Sequence, residues 1–147
     1  MNYSYKGKIL ISTPDISGDI FSRSVVIIVD HNHEGAFGLI LNKKNKNMSE
    51  RLHAIFGFAV DVYEGGPVEN DKIFFISKGK KITENFSEIS EEFYLTEDIE
   101  SVVTGMIEEQ ISVDEIKVFS GYSGWASKQL ESEVQRKMWT VVEVYNL

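Results

Sequence analysis

Gly121-Tyr122-Ser123-Gly124-Trp125 is the stretch whose residue types come nearest to a reactive site. A hydrolase nucleophile elbow reads G-x-S-x-G, with serine on a strained turn between a strand and a helix. Here the second glycine stands one residue early, although the flanks read as strand, then helix. The chain has three histidines, so a partner base is scarce. The plainer use of Gly121 and Gly124 is positive φ or close backbone approach at a tight strand-to-helix corner. Tyr122 and Trp125 then pack as half-buried aromatics.

"GGPV" (Gly65–Val68) is a tight turn with Pro67 fixing φ, and its glycines allow close approach of a ligand. Neither a G-x-x-x-x-G-K-[ST] phosphate loop nor a G-x-G-x-x-G fingerprint occurs. Asp30, Asn32, Glu34 and Gly35 imitate half of a calcium loop, but position twelve is Leu41 where glutamate is required, so no metal site is expected. His31 and His33 form a lone H-x-H, which reads as a solvated turn. Lys43, Lys44, Lys46 and Arg51 crowd one loop region and Lys78, Lys80 and Lys81 another, a basic patch if the loops meet. Glu131 and Glu133 lie two apart on a helix, so they point away from each other and make no acid/base pair.

The elements that must position these residues follow from periodicity. "KILIS" (Lys8–Ser12) is a buried strand that ends at the Pro14–Gly18 loop. "SVVIIVD" (Ser24–Asp30) is a continuous β-branched run, as in a strand covered on both faces. With "AFGLILN" (Ala36–Asn42) it forms a hairpin around "HNHEG". Met48, Leu52, Ile55 and Phe56 share one helical face. Two short strands flank "GGPV", and the polar stretch after them reads as loop. Thr96 is placed to cap a helix whose stripe is Ile99, Val102, Val103, Met106 and Ile107. "IKVFSGYS" is a strand, Leu130, Val134 and Met138 mark another helix, and "WTVVEVY" is a closing strand. The sum over residues 1–147 is a single domain of the α/β (α+β) class with a mixed, strongly curved sheet.

The totals exclude whole classes. With no cysteine, thiol catalysis, disulfides and zinc–cysteine sites are out. A net charge of -8 works against binding to nucleic acid or anionic membrane. No apolar stretch has a membrane helix's length, and the first apolar run is too brief for a signal-peptide core, so the expected compartment is the cytoplasm.

Three separated motifs, in order, resemble the YqgE/AlgH family of small bacterial proteins. "GKILISTPDISGDIFSRSVVIIVDHNHEGAFGLILNK" is similar to the family's opening, with Phe21, Ser24, Val25, His31, Gly35, Gly38 and Asn42 on its pattern. "GGPV" follows. "GYSGWASKQLESE" resembles G-Y-A-G-W followed by Q-L-E-x-E, matched by Gly121, Tyr122, Gly124, Trp125, Gln129, Leu130, Glu131 and Glu133, and Trp139 matches a closing tryptophan. The resemblance implies a curled, barrel-like mixed sheet flanked by helices. The family commonly carries alanine where this chain has Ser123, which argues against a nucleophile there. Relatives often continue with a further helical segment beyond the tryptophan strand, so a site built from that segment is not expected here. Some members are described as transcriptional regulators of exopolysaccharide production.

The expectation is a binding or regulatory protein, transcription-linked through the resemblance, and not an enzyme. No catalytic set, metal or cofactor is expected. Its ligand groove would bring "GGPV" and "GYSGW" together: Ser24, Asn42, Gly65, Gly66, Tyr122, Trp125, Gln129 and Glu131. Tyr122 and Trp125 would be its flat walls. The partner would be a small molecule or a protein, and no heptad or similar signature specifies an oligomer. The alternative is a small-metabolite hydrolase or transferase using the same groove, with His31 or Glu131 as base. A third reading is a nucleic-acid-linked regulator acting through the two lysine loops.

Overall fold

Residues Val26–Val29 show how the sheet is covered. Val26 and Ile28 are buried in one apolar cluster, and Ile27 and Val29 in another on the opposite side. That alternation is why the run is β-branched throughout rather than apolar at every second position. The computed structural model describes residues 4–14, 22–79 and 84–143.

The chain runs β1 (Ile9–Ser12), β2 (Val25–Asn32), β3 (Gly35–Ile40), α1 (Lys46–Phe56), β4 (Val62–Glu64), β5 (Val68–Lys78), β6 (Ser87–Glu88), β7 (Phe93–Thr96), α2 (Ile99–Ile107), β8 (Ile116–Ala126), α3 (Gln129–Gln135) and β9 (Trp139–Val142). The strands form one nine-stranded sheet in the order β6-β7-β5-β8-β3-β2-β1-β9, with β4 beside the first part of β8. Every pairing described is antiparallel except β4 with β8, so the sheet is mixed, as expected. It curls into a half-barrel, and the fold is α+β with three helices.

Three apolar clusters hold it. Ile27, Leu39, Phe74, Phe93 and Phe119 fill one face of the sheet. Met48, Leu52 and Phe56 of α1 and Val102 and Met106 of α2 pack on Phe75 and Val118. Leu130 of α3 packs with Leu10, Ile40, Trp125 and Trp139. Asn45 caps α1, its side chain accepting from the Met48 N–H, and Gly57 ends it in the left-handed conformation at φ 82°.

Several expectations need correction. β8 does not end at a corner in "GYSGW" but runs on to Ala126, because Ala36–Gly38 of β3 pair with Ser123–Trp125. The turn into α3 lies at Ser127–Lys128, with Lys128 at φ 64°. Asp98 rather than Thr96 caps α2, accepting from the Ser101 N–H, while the buried Thr96 hydroxyl accepts from the Asp98 N–H. Ile55 and Ile107 leave their stripes and stand 63% and 71% exposed. The stretch read as loop after β5 contains the two-residue strand β6. Most of the Pro14–Gly18 loop, Phe21, Lys80, Lys81 and the end of "WTVVEVY" lie outside the described residues.

Candidate functional site

The two glycine motifs do meet. The Gly65 N–H donates to the Ser120 carbonyl at 2.8 Å, and the Gly65 carbonyl accepts from the Ile40 N–H at 2.9 Å. Backbone lies on backbone here. A Cβ on Gly65 would sit 2.3 Å from the Gly121 carbonyl oxygen, and one on Gly66 would sit 2.2 Å from the Tyr122 carbonyl. Gly121 itself has φ +71°, a conformation side chains other than glycine's disfavour. The fully buried Ser123 hydroxyl donates to the Gly65 carbonyl at 3.0 Å. It is a pin across the crossing, its proton directed at a peptide carbonyl.

At the far end of β2, His31 is buried and paired with Ala36 in the ladder, not solvated in a turn; only His33 and Glu34 form the turn. Its Nδ1 accepts the Tyr5 backbone N–H at 2.8 Å, and the Tyr5 ring stacks on it with centroids 5.4 Å apart. A backbone N–H can only donate, so in the neutral ring the proton sits on Nε2. Nε2 lies 3.2 Å from Glu131 Oε2, but out of line, so it has no aligned hydrogen bond among the described residues. Glu131 is partly exposed, with 24% of its side chain reaching solvent.

Two residues along α3, about half a turn, Glu133 faces the other way. Its Oε1 accepts from Trp125 Nε1 and from Trp139 Nε1, each at 2.9 Å, and its Oε2 accepts from Gln129 Nε2 at 2.9 Å. Gln129 also accepts the Ala126 N–H at 2.9 Å. The two indoles meet edge to face with centroids 6.2 Å apart. One carboxylate thus ties α3 to β8 and β9, and buried indole N–H groups need such an acceptor. The divergence of Glu131 and Glu133 holds as expected.

The eight residues of the expected groove fall into separate places. Ser24 is buried, its N–H donating to the Ser12 hydroxyl at 2.7 Å. Asn42 clamps the same segment, accepting from the Val25 N–H at 3.0 Å and donating to the Arg23 carbonyl at 2.9 Å. Trp125, Gln129 and Glu131 gather by His31, six residues away along β2, roughly 20 Å at the usual strand rise. Gly65, Gly66 and Tyr122 meet at the crossing. Tyr122 packs with Phe37 and Phe74 in the first cluster and Trp125 in the third, so their rings stand on opposite faces of β8.

The family described as AlgH-like matches residues 9–146. The chain belongs to this AlgH-like family. A UPF0301 protein of Cytophaga hutchinsonii is 36% identical over 141 residues, covering 95% of this chain and 78% of that one. One from Bacteroides thetaiotaomicron is 34% identical over 143 residues, covering 96% and 72%. The solution structure of the AlgH protein from Pseudomonas aeruginosa superposes with a TM-score of 0.76 at 25% identity, covering 98% of this chain and 82% of that one. A Corynebacterium diphtheriae crystal structure has a TM-score of 0.74 at 19% identity, covering 97% and 78%, and shares the fold.

Among the motif residues by which this chain resembles the AlgH-like family, several are spent on the frame. A Cβ on Gly35 would lie 2.3 Å from the Trp125 carbonyl oxygen, and one on Gly38 would lie 2.8 Å from that of Ile27. Two residues outside the expected groove matter most. Glu133 was findable, because two tryptophans flanking one helix both need an acceptor. Tyr5 contributes a backbone N–H, which no side-chain pattern reveals. Among the described residues no group of three or more metal-ligating side chains forms. No helix there is long and apolar enough to cross a membrane.

Proposed function

We propose that the chain is a cytoplasmic regulatory protein that binds a small molecule at the His31–Glu131 end of the half-barrel, and is not an enzyme. The observation that supports this reading most is the His31–Glu131 contact itself. A buried imidazole N–H faces a carboxylate that is close, misaligned and partly open to solvent. A ligand carrying N–H or ammonium donors would bind the open side of Glu131 and swing Oε2 into line with His31. The change would pass to Tyr5 through His31 Nδ1, which gives binding a mechanical output.

Catalysis fits less well. A nucleophile needs an available hydroxyl and a base within reach, whereas Ser123 is buried and bonded to a carbonyl. With a net charge of -8, a transcription-linked role would run through the ligand or a protein rather than through direct contact with DNA.

The test is a pooled-metabolite titration in which crosspeaks of the Trp125 and Trp139 indoles and the Tyr5 amide are followed by NMR. The reading expects ligands that move all three and lose their effect in Glu131→Gln. Turnover of a metabolite by wild type that is abolished in Ser123→Ala would overturn it.

A further inference from the structure

β8 reaches past the start of its parallel partner. The ladder with β4 begins at Val62–Val118, leaving Ile116 and Lys117 paired with β5 alone. The gap is a cleft of about 370 Å³ lined by Val60, Tyr63, Val113, Asp114, Ile116 and Lys117 among others. A smaller cleft of about 140 Å³ shares Asp114, Ile116 and Lys117, so the lysine stands between two openings.

Lys117 is half-buried, and its Nζ lies 4.4 Å from the centroid of the Tyr63 ring. Among the described residues no carboxylate comes within ion-pair distance of it. Burial lowers its pKa from the ordinary 10.5. Lys72 is the contrast. Glu97 lies 3.2 Å from its ammonium and raises its pKa, which keeps the proton on. A lysine that is free of carboxylates, partly dehydrated and set in an aromatic-walled cleft is suited to act as an amine nucleophile.

We propose that this cleft binds a small, flat carbonyl compound, which Lys117 captures as an imine. The amine lone pair attacks the carbonyl carbon, forming a C–N bond while the carbonyl π pair moves to oxygen. Proton transfer and loss of the hydroxyl group then leave C=N. The carbonyl oxygen and the two N–H hydrogens depart as one water, and nothing is oxidised or reduced. Tyr63, Val60 and Ile116 supply apolar walls for the flat body. Two carboxylates line the cleft; Asp61 is paired with Lys44 at 3.5 Å, which leaves Asp114 to carry the proton.

The experiment treats the full chain with benzaldehyde and sodium cyanoborohydride at neutral pH, stops at low conversion and maps the modified lysines by mass spectrometry. Lys117 should react severalfold faster than Lys44, whose side chain is 63% exposed, and Lys72 should be slowest. The Lys117 rate should saturate with aldehyde concentration, and Lys117→Arg should remove the fast site while keeping the circular dichroism of wild type. Labelling that follows exposure, with Lys44 at least as fast as Lys117, would overturn the proposal. So would a fast Lys117 whose rate stays linear in aldehyde, since that is reactivity without a binding site.

Discussion

The Ser123 hydroxyl donates to the Gly65 carbonyl at 3.0 Å, across the place where the two glycine motifs of the chain touch. The contact changes what both motifs mean. Glycines that could admit a ligand instead admit each other's backbone, and a serine that could attack a substrate is tied to a peptide oxygen. Polar motif residues hold strands together, and the partly buried charged groups on which the two proposals rest, Glu131 and Lys117, lie away from the crossing.

Ser123→Ala should therefore be mild. The Gly65 carbonyl keeps the Ile40 N–H, so the loss is one neutral hydrogen bond, about 1 kcal/mol. Urea unfolding should show that modest drop, and ligand binding at Glu131 should be unchanged.

Gly66→Ala should be severe. Its Cβ would sit 2.2 Å from the Tyr122 carbonyl, and a strand backbone paired on both sides has nowhere to go. A loss of at least about 3 kcal/mol is expected, seen as a large fall in Tm or as insoluble protein. Gly57→Ala is the control, since a Cβ there meets nothing within 4 Å and carries only the cost of its left-handed φ.

Glu133→Ala removes the acceptor shared by two indoles, and about 2–4 kcal/mol should go with it. Glu133→Gln should lose less, because an amide oxygen can still take both N–H groups. Chemical denaturation gives the energies. Red-shifted tryptophan fluorescence in Glu133→Ala, but not in Glu133→Gln, would show that the pair has opened to water.

The sequence showed its elements wherever burial follows a period. The two-faced run of β2 and the Val102–Met106 stripe of α2 were both readable. It misled where long-range pairing overrides local signals. Gly121 suggests a turn, yet β3 and the "GGPV" backbone hold β8 extended through it, so its positive φ makes a local kink instead. The expected groove failed to gather for a related reason. Ser24 and Asn42 sit at one end of the β2–β3 hairpin and Gln129 and Glu131 at the other, and separation along a hairpin is invisible until the register is known.

His31→Ala should loosen the chain at Tyr5, while Gly7 and Lys8 stay tied to Ile28 of β2 through the backbone. It removes the acceptor of the Tyr5 N–H and the ring on which Tyr5 stacks. Hydrogen exchange at the Tyr5 amide should accelerate by orders of magnitude while the amides of β3 stay protected.

Lys117→Met should raise stability at neutral pH by a small amount, under about 1 kcal/mol, because solvent screens much of the charge. The sign follows from burial. With the folded pKa lowered, the cost of the buried ammonium is full below that pKa and fades as pH rises toward the unfolded value of 10.5. The advantage of methionine should accordingly shrink in thermal melts taken at increasing alkaline pH.

The most direct test of the account compares three proteins in one NMR titration with a ligand-positive metabolite pool: wild type, Ser123→Ala and Glu131→Gln. Shifts of the Trp125 and Trp139 indoles that survive in Ser123→Ala and vanish in Glu131→Gln are the predicted result. Shifts that vanish in Ser123→Ala and persist in Glu131→Gln would contradict it, returning the binding site to the glycine crossing.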